Sequence, residues 1–289
     1  MTAVQRIVVS PDGTPIAVFS SGEGPPLLLV HGATADHTTW RSVGPVLERR
    51  FRLHAVDRRG RGASGDGPAY SIEREYEDLA AVADAVADGA GSPVDVVGHS
   101  YGGRCALGAA LLTPSIARLV VYEGAPSPLG AGAGEAGAGG AGAVGTGYRP
   151  AGVERRIAGL VEAGDLDGAL ETFMREIVRM PPPDLAAFRA DPIWPIRAAA
   201  VGTTLRELEG EASPAASLEA LAGVAQPVLQ LLGGASAAPF RDATNALDAR
   251  LRDGRVVVIV GARHAAHHTH VAEFVVAVES FFGPADMAD

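Results

Sequence analysis

The hexapeptide Gly98-His99-Ser100-Tyr101-Gly102-Gly103 constrains the fold of this chain more than any other stretch. Pro93-Val94-Asp95-Val96-Val97 precedes it and, being short, apolar and β-branched, predicts a buried strand. The run from Arg104 to Leu112 follows it and predicts a helix. The chain therefore passes from strand through a sharp turn to helix, with a serine at the apex. Gly98 and Gly102 let the backbone approach itself where a Cβ would clash. Such a turn lifts the Ser100 hydroxyl to the C-terminal edge of a sheet. It also leaves the Tyr101 N–H at a helix start, free to bind an oxyanion. A glycine-flanked serine is a weak signal alone, since it also describes a tight turn with an idle hydroxyl. The strand before it and the helix after it favour a nucleophile.

With this elbow the chain resembles the α/β-hydrolase superfamily. The resemblance implies an α/β fold: a mostly parallel central sheet flanked by helices, with a helical cap inserted after the sixth core strand. Two further motifs agree. Pro26-Leu27-Leu28-Leu29-Val30 is an unbroken apolar run, as in a strand buried on both faces, and ends in His31-Gly32-Ala33-Thr34. In the superfamily an H-G pair here begins the loop that gives the second oxyanion-hole N–H, which assigns that donor to Ala33. His31 reads as a hydrogen-bonded support for the loop. Phe51–Val56 predicts the next strand and runs into Asp57-Arg58-Arg59-Gly60-Arg61-Gly62-Ala63-Ser64, again similar to the superfamily. Asp57 is expected to hold that loop through backbone hydrogen bonds. A dinucleotide site is disfavoured there, because no helix opens directly from the glycines.

Composition narrows the chemistry. A net charge of −10 and the absence of a clustered basic face argue against nucleic acid. No lysine occurs, which removes a lysine Schiff base and a P-loop lysine. The single cysteine, Cys105, precludes an internal disulfide and reads as a small core residue. No apolar stretch is long enough to span a bilayer, and the first residues carry no charged-then-apolar segment. The expectation is a cytoplasmic protein with no membrane partner; a homodimer stays open.

Along the chain, Gln5–Ser10 and Ile16–Ser20 predict two strands around Pro11-Asp12-Gly13. Trp40 is expected to open a helix through Leu47 and is a candidate pocket residue, with core packing as the alternative. Tyr70–Asp88 has helical spacing, and Ala117–Tyr122 predicts the sixth core strand, with Glu123 at its end. From Gly130 to Gly147 nine residues are glycine and six alanine, which predicts a mobile loop, since little apolar area is available to offset ordering. Helical patterns follow to about Val224, interrupted at Gly164-Asp165 and at Pro181-Pro182-Pro183, with Trp194 as a second candidate pocket residue. The expected division is 1–125 for the first part of the core, 126–224 for the cap and 225–289 for the second part of the core. Pro227–Leu232 and Arg255–Val260 predict the last strands, with a helix over Phe240–Leu251 between them and another over Val271–Phe282.

A serine hydroxyl needs a base, and the base needs an acid. His264, on the loop after the last strand, matches the catalytic histidine of the superfamily. The usual acid follows the penultimate strand, but Gly233-Gly234-Ala235-Ser236-Ala237-Ala238 holds no carboxylate there. Glu123 is the alternative, because some superfamily members place their acid after the sixth strand. Asp242 or Asp248 is the competing choice, weakened by its place inside a helix. His264, His267, His268 and His270 form a cluster, but no matching carboxylates or cysteines accompany it, so no metal is expected. No cofactor is implied. The resulting expectation is a serine hydrolase acting on a small, apolar ester or lactone, with Ser100, His264 and Glu123 as triad and Ala33 and Tyr101 as oxyanion donors. A non-hydrolytic lyase or cyclase on the same scaffold, or a ligand-binding receptor with a vestigial triad, is the alternative. A dehalogenase or epoxide hydrolase is disfavoured, because those members have aspartate where this chain has Ser100.

Overall fold

The computed structural model describes residues 4–67, 69–128 and 149–283. The glycine- and alanine-rich segment 130–147, for which mobility is the expectation, lies outside the described residues. Among the described residues, eight strands form one sheet in the order β1-β2-β4-β3-β5-β6-β7-β8. β1 (Val4–Val9) and β2 (Pro15–Ser21) form an antiparallel hairpin, and β2 runs antiparallel to β4 (Arg52–Val56). The other pairs are parallel, joining β4 to β3 (Pro26–Val30), then β5 (Val94–His99), β6 (Ile116–Tyr122), β7 (Val228–Gly233) and β8 (Gly254–Ile259). The expected mostly parallel sheet is therefore present.

Apolar runs in the central strands reflect burial on both faces. Alternate residues divide between two cores, as a strand's period of two requires. Leu28, Val30, Val96, Leu119 and Val121 pack under α2 (Ile72–Ala90) and α3 (Tyr101–Ala110). Leu27, Leu29, Val97, Val120 and Tyr122 pack under α1 (Gly44–Leu47) and α12 (Val271–Phe282). In α2 the buried face is built by Ile72, Tyr76, Leu79, Val82, Ala83 and Val86 at helical spacing. Ser71 Oγ caps it by accepting the Arg74 N–H, Glu73 and Glu75 suit the positive end of the dipole, and Gly91 closes it at φ 69°.

Among the described residues between β6 and β7, the secondary structure is helical: α4 (Val153–Glu162), α5 (Leu166–Thr172), α6 (Pro182–Arg189), α7 (Trp194–Ala199), α8 (Thr203–Gly210) and α9 (Leu218–Leu221). A π-helical turn, Phe173–Ile177, extends α5. Val153, Ile157, Leu170, Phe173, Trp194 and Leu208 share a separate apolar core. Two details differ from expectation. The helix expected over Trp40–Leu47 is split into a 3-10 turn, His37–Arg41, and α1, because Pro45 lacks the N–H that would continue one helix. Pro182 opens α6 as well as following the preceding helix, since a proline at a first turn forfeits no intrahelical bond. The remaining helices are α10 (Ala238–Asp248), between β7 and β8, and α11 (Ala266–Thr269), before α12.

One buried pair gives the sheet a pH signature. Ser20 and His54 face each other across β2 and β4, with Ser20 Oγ 2.8 Å from His54 Nδ1. Burial, reinforced by Arg52 and Arg6, pushes His54 down to about 4 from its ordinary 6.5. The unfolded chain takes up this proton near pH 6.5 and the folded chain only near 4, so acidification through that window lowers stability. Urea midpoints measured from about pH 7.5 to about 4.5 should fall less steeply in His54→Gln than in the wild type. Parallel slopes would refute this.

Candidate active site

Ser100 sits between β5 and α3 at φ 53°, ψ −125°, a conformation that costs a non-glycine residue about 1–3 kcal/mol. The surrounding backbone forces it. A Cβ on Gly98 would lie 2.5 Å from Gly103 Cα, and one on Gly102 would lie 2.2 Å from the His31 oxygen. The Ser100 N–H donates to the Tyr122 oxygen at 2.8 Å, and the Gly103 N–H donates back to Ser100 at 2.9 Å. The serine is thereby held on a turn joined to β6 on one side and to the loop after β3 on the other.

Glu123 follows β6 at φ 48°, which turns its side chain away from the strand's course. Its carboxylate is fully buried and both oxygens are used. Oε2 lies 2.6 Å from His264 Nδ1, and Oε1 accepts the Gly233 N–H at 2.8 Å. The carboxylate assigns the imidazole proton to Nδ1 and leaves Nε2 as the acceptor. Phe240 stacks on the His264 ring at 4.4 Å between centroids, and His99 lies behind it at 4.7 Å. His99 Nε2 is 2.8 Å from the His264 carbonyl oxygen and donates to it, fixing the loop that carries His264. Asp242 and Asp248 lie within α10, and Ser236 Oγ, after β7, has no hydrogen-bond partner among the described residues.

The loop after β3 is braced from beneath. His31 Nε2 accepts the Arg58 N–H at 3.0 Å, so Nδ1 carries the proton and donates to the Gly32 oxygen at 2.9 Å. Burial, with Arg58 nearby, holds His31 well below the usual histidine range and therefore neutral. Asp57 accepts the His37 N–H at 2.7 Å and the Ala63 N–H at 2.8 Å, tying two loops together as expected. Among the described residues, no acceptor takes the Ala33 or Tyr101 N–H.

Ala33, Ser100, Tyr101, Glu123 and His264 line one cavity of about 30 Å³. Its roof comes from the helical insertion and includes Phe173, Ile177, Thr204, Glu207 and Glu211. A groove of about 650 Å³ lies beyond Arg104 and Glu211 and reaches neither Ser100 nor His264. Neither expected pocket tryptophan lines the cavity. Trp40 is buried in the sheet core, its ring 5.5 Å from that of His267. Trp194 is buried in the insertion's own core, where its indole N–H donates to Asp167 at 2.7 Å. Both bury so much apolar area that packing claims them before a pocket can. Trp194→Ala should accordingly destabilise the protein by about 3–5 kcal/mol in urea unfolding, with little change in KM. A changed KM at unchanged stability would return Trp194 to the pocket.

His267 is buried, with Nε2 3.5 Å from Thr39 Oγ1; burial, with His99 and His268 beside it, holds it well below the usual range. His268 Nδ1 bonds Ser42 Oγ at 3.1 Å, and His270 Nδ1 bonds Thr269 Oγ1 at 2.9 Å. The charged residues of the roof and wall, Glu207, Glu211 and Arg104, carry no sequence signal. Glu207 and Glu211 meet the site across more than a hundred residues of chain, with the spacing of any solvated helix face, whereas Arg104 lies on α3, four residues after Ser100.

Residues 27–278 match the alpha/beta hydrolase family. An alpha/beta hydrolase from Sphaerobacter thermophilus superimposes with a TM-score of 0.72 at 31% identity, over 93% of this chain and 99% of that one. The pimeloyl-[acyl-carrier protein] methyl ester esterase of Neisseria meningitidis is 28% identical over 263 residues, 88% of this chain and 75% of its own. A probable oxidoreductase of Mycobacterium bovis, EphD, is 38% identical over 104 residues; the match spans 34% of this chain and 17% of that protein.

Proposed function

The chain belongs to the alpha/beta hydrolase family, and from that premise we propose that it is a serine hydrolase cleaving a small ester or lactone through an acyl-enzyme. The observation that carries this reading is the single cavity shared by Ser100, His264, Glu123, Ala33 and Tyr101. Ser100 Oγ attacks the carbonyl carbon while His264 Nε2 takes its proton. Glu123, on the other ring nitrogen, stabilises the imidazolium that forms. The carbonyl oxygen becomes an oxyanion and rests on the Ala33 and Tyr101 N–H groups, whose worth lies in being aimed before the reaction begins. The alkoxide leaves with the proton from His264. Water, deprotonated by the same histidine, then releases the acid and restores Ser100. The resemblance to a methyl ester esterase supports an ester substrate.

The cavity of about 30 Å³ is far smaller than the several hundred Å³ of a small-molecule site, so on this reading an ester is admitted by the roof parting from the core. Apolar side chains, Phe173, Ile177 and Phe240, line the cavity together with Arg104 and Glu211, which form an ion pair of 2.6 Å. Purified protein should hydrolyse p-nitrophenyl acetate or butyrate with a stoichiometric burst and should be labelled by a fluorophosphonate at Ser100. Fluorophosphonate labelling without an acyl-enzyme burst or ester turnover would favour lyase or cyclase chemistry. Absence of both turnover and labelling would favour a binding protein.

A further inference from the structure

Arg58 is fully buried, yet it belongs to a position of the loop after β4 that no step of the proposed mechanism uses. Its guanidinium is a hub. Nη1 donates to Glu75 Oε1 of α2 at 3.0 Å. Nη2 donates to Glu207 of α8 and, at 3.3 Å, to the Gly32 oxygen. The same guanidinium lies 5.0 Å from the centroid of the Tyr101 ring. The Tyr101 hydroxyl is 2.9 Å from that of Tyr70, which donates to Glu75 at 3.1 Å and closes the ring of contacts. Arg61 adds a second donor to Glu207, at 2.6 Å.

The Gly32 contact matters because of peptide geometry. The Gly32 carbonyl and the Ala33 N–H belong to one planar trans unit and point in opposite directions. Arg58 and His31 Nδ1 hold the carbonyl on the core side. The Ala33 N–H is thereby directed to the opposite side, and Ala33 lines the Ser100 cavity. Arg58 also packs on the side chain of Tyr101, the other donor residue. The carboxylate on Arg58 that comes from the helical roof is Glu207.

Building on the oxyanion-hole reading above, we propose that Arg58 is a positioning residue for that hole, and that Glu207 makes its alignment depend on docking of the roof helix α8. With the roof docked, Glu207 fixes the guanidinium and the guanidinium fixes the Gly32–Ala33 peptide plane. With the roof lifted, Arg58 loses one anchor and the plane loses rigidity. Substrate entry and oxyanion stabilisation thus become successive states of one ion network.

The test uses Arg58→Met/Glu207→Gln, which removes the guanidinium together with the charge of Glu207 and leaves Glu75 with the Tyr70 hydroxyl as its donor, alongside Glu207→Gln alone. His31 still braces the plane in both. The double variant should therefore lose about 10- to 30-fold in kcat on p-nitrophenyl butyrate, less than the 10²–10³ of deleting a donor outright, with KM nearly constant. A trifluoromethyl ketone, whose adduct with Ser100 places an oxyanion in the hole, should weaken by the same factor; its methyl ketone counterpart should not. Glu207→Gln alone should show the same pattern at smaller amplitude. Equal weakening of both ketones, or unchanged kcat, would overturn the positioning role. Wild-type behaviour of Glu207→Gln would overturn the dependence on α8. A crystal structure of the double variant decides independently of turnover: a rotated or doubled Gly32–Ala33 plane supports the proposal, and an unmoved plane refutes it. Failure of the hydrolase reading is recognised separately, as a wild type that neither turns over esters nor takes the fluorophosphonate.

Discussion

Ser100→Ala should fold normally and lose ester turnover by a factor on the order of 10⁵–10⁶. The loss is that large because nucleophile and base act as a unit. Without Oγ there is no acyl-enzyme, and His264 can only assist a water that nothing holds in line. The residual rate would come from the Ala33 and Tyr101 N–H groups and from binding. Folding should survive, since the strained φ of 53° is imposed by the backbone around Gly98 and Gly102 and an alanine fits wherever the serine does. Circular dichroism and melting temperature would be compared with the wild type, alongside p-nitrophenyl ester turnover and fluorophosphonate labelling. A folded Ser100→Ala protein with turnover near that of the wild type would end the serine hydrolase reading.

What the sequence discloses and what it hides follow from range. Elements set by local rules are visible in it. The elbow is announced by its glycines, the buried strands by runs such as Leu27-Leu28-Leu29, and α2 by its helical spacing and its serine cap. The end of β6 could be placed by the same rules, and with it Glu123; the ring nitrogen 2.6 Å away belongs to a residue 141 positions later. Contacts that topology alone creates leave no local trace. Arg58 and Glu207 are 149 residues apart, and each reads in isolation as a solvated charge. Trp40 and Trp194 failed as pocket residues for a related reason. Sequence spacing says which face of an element is apolar, but not whether that face meets a core or a cavity. The burial of His267, its ring 4.4 Å from that of His99, is likewise a product of topology and not of local spacing.

Glu123→Gln should keep the fold and reduce kcat by about 10⁴-fold, the cost of losing an anionic partner and the correct tautomer in an analogous triad. The geometry gives the reason. Gly233 donates an N–H to one carboxylate oxygen, and His264 Nδ1–H donates to the other. A glutamine has one oxygen and one NH₂ for these two places. The Gly233 N–H can only take the oxygen, so the NH₂ must face Nδ1 and donate to it. That moves the imidazole proton to Nε2, the atom that should accept the proton of Ser100, and the base is blocked in its resting state. The imidazolium also loses its counter-charge in a buried setting, where such a charge is worth more than in water. Asp242→Asn and Asp248→Asn should stay within about threefold of the wild type, because neither contacts the His264 ring in this structure. The three variants would be compared by kcat/KM on one p-nitrophenyl ester, with the His264 tautomer of Glu123→Gln read from imidazole ¹⁵N shifts. A glutamine variant within tenfold of the wild type, or a large loss in Asp242→Asn or Asp248→Asn, would move the acid elsewhere. An Nδ1-protonated ring in Glu123→Gln would overturn the tautomer argument.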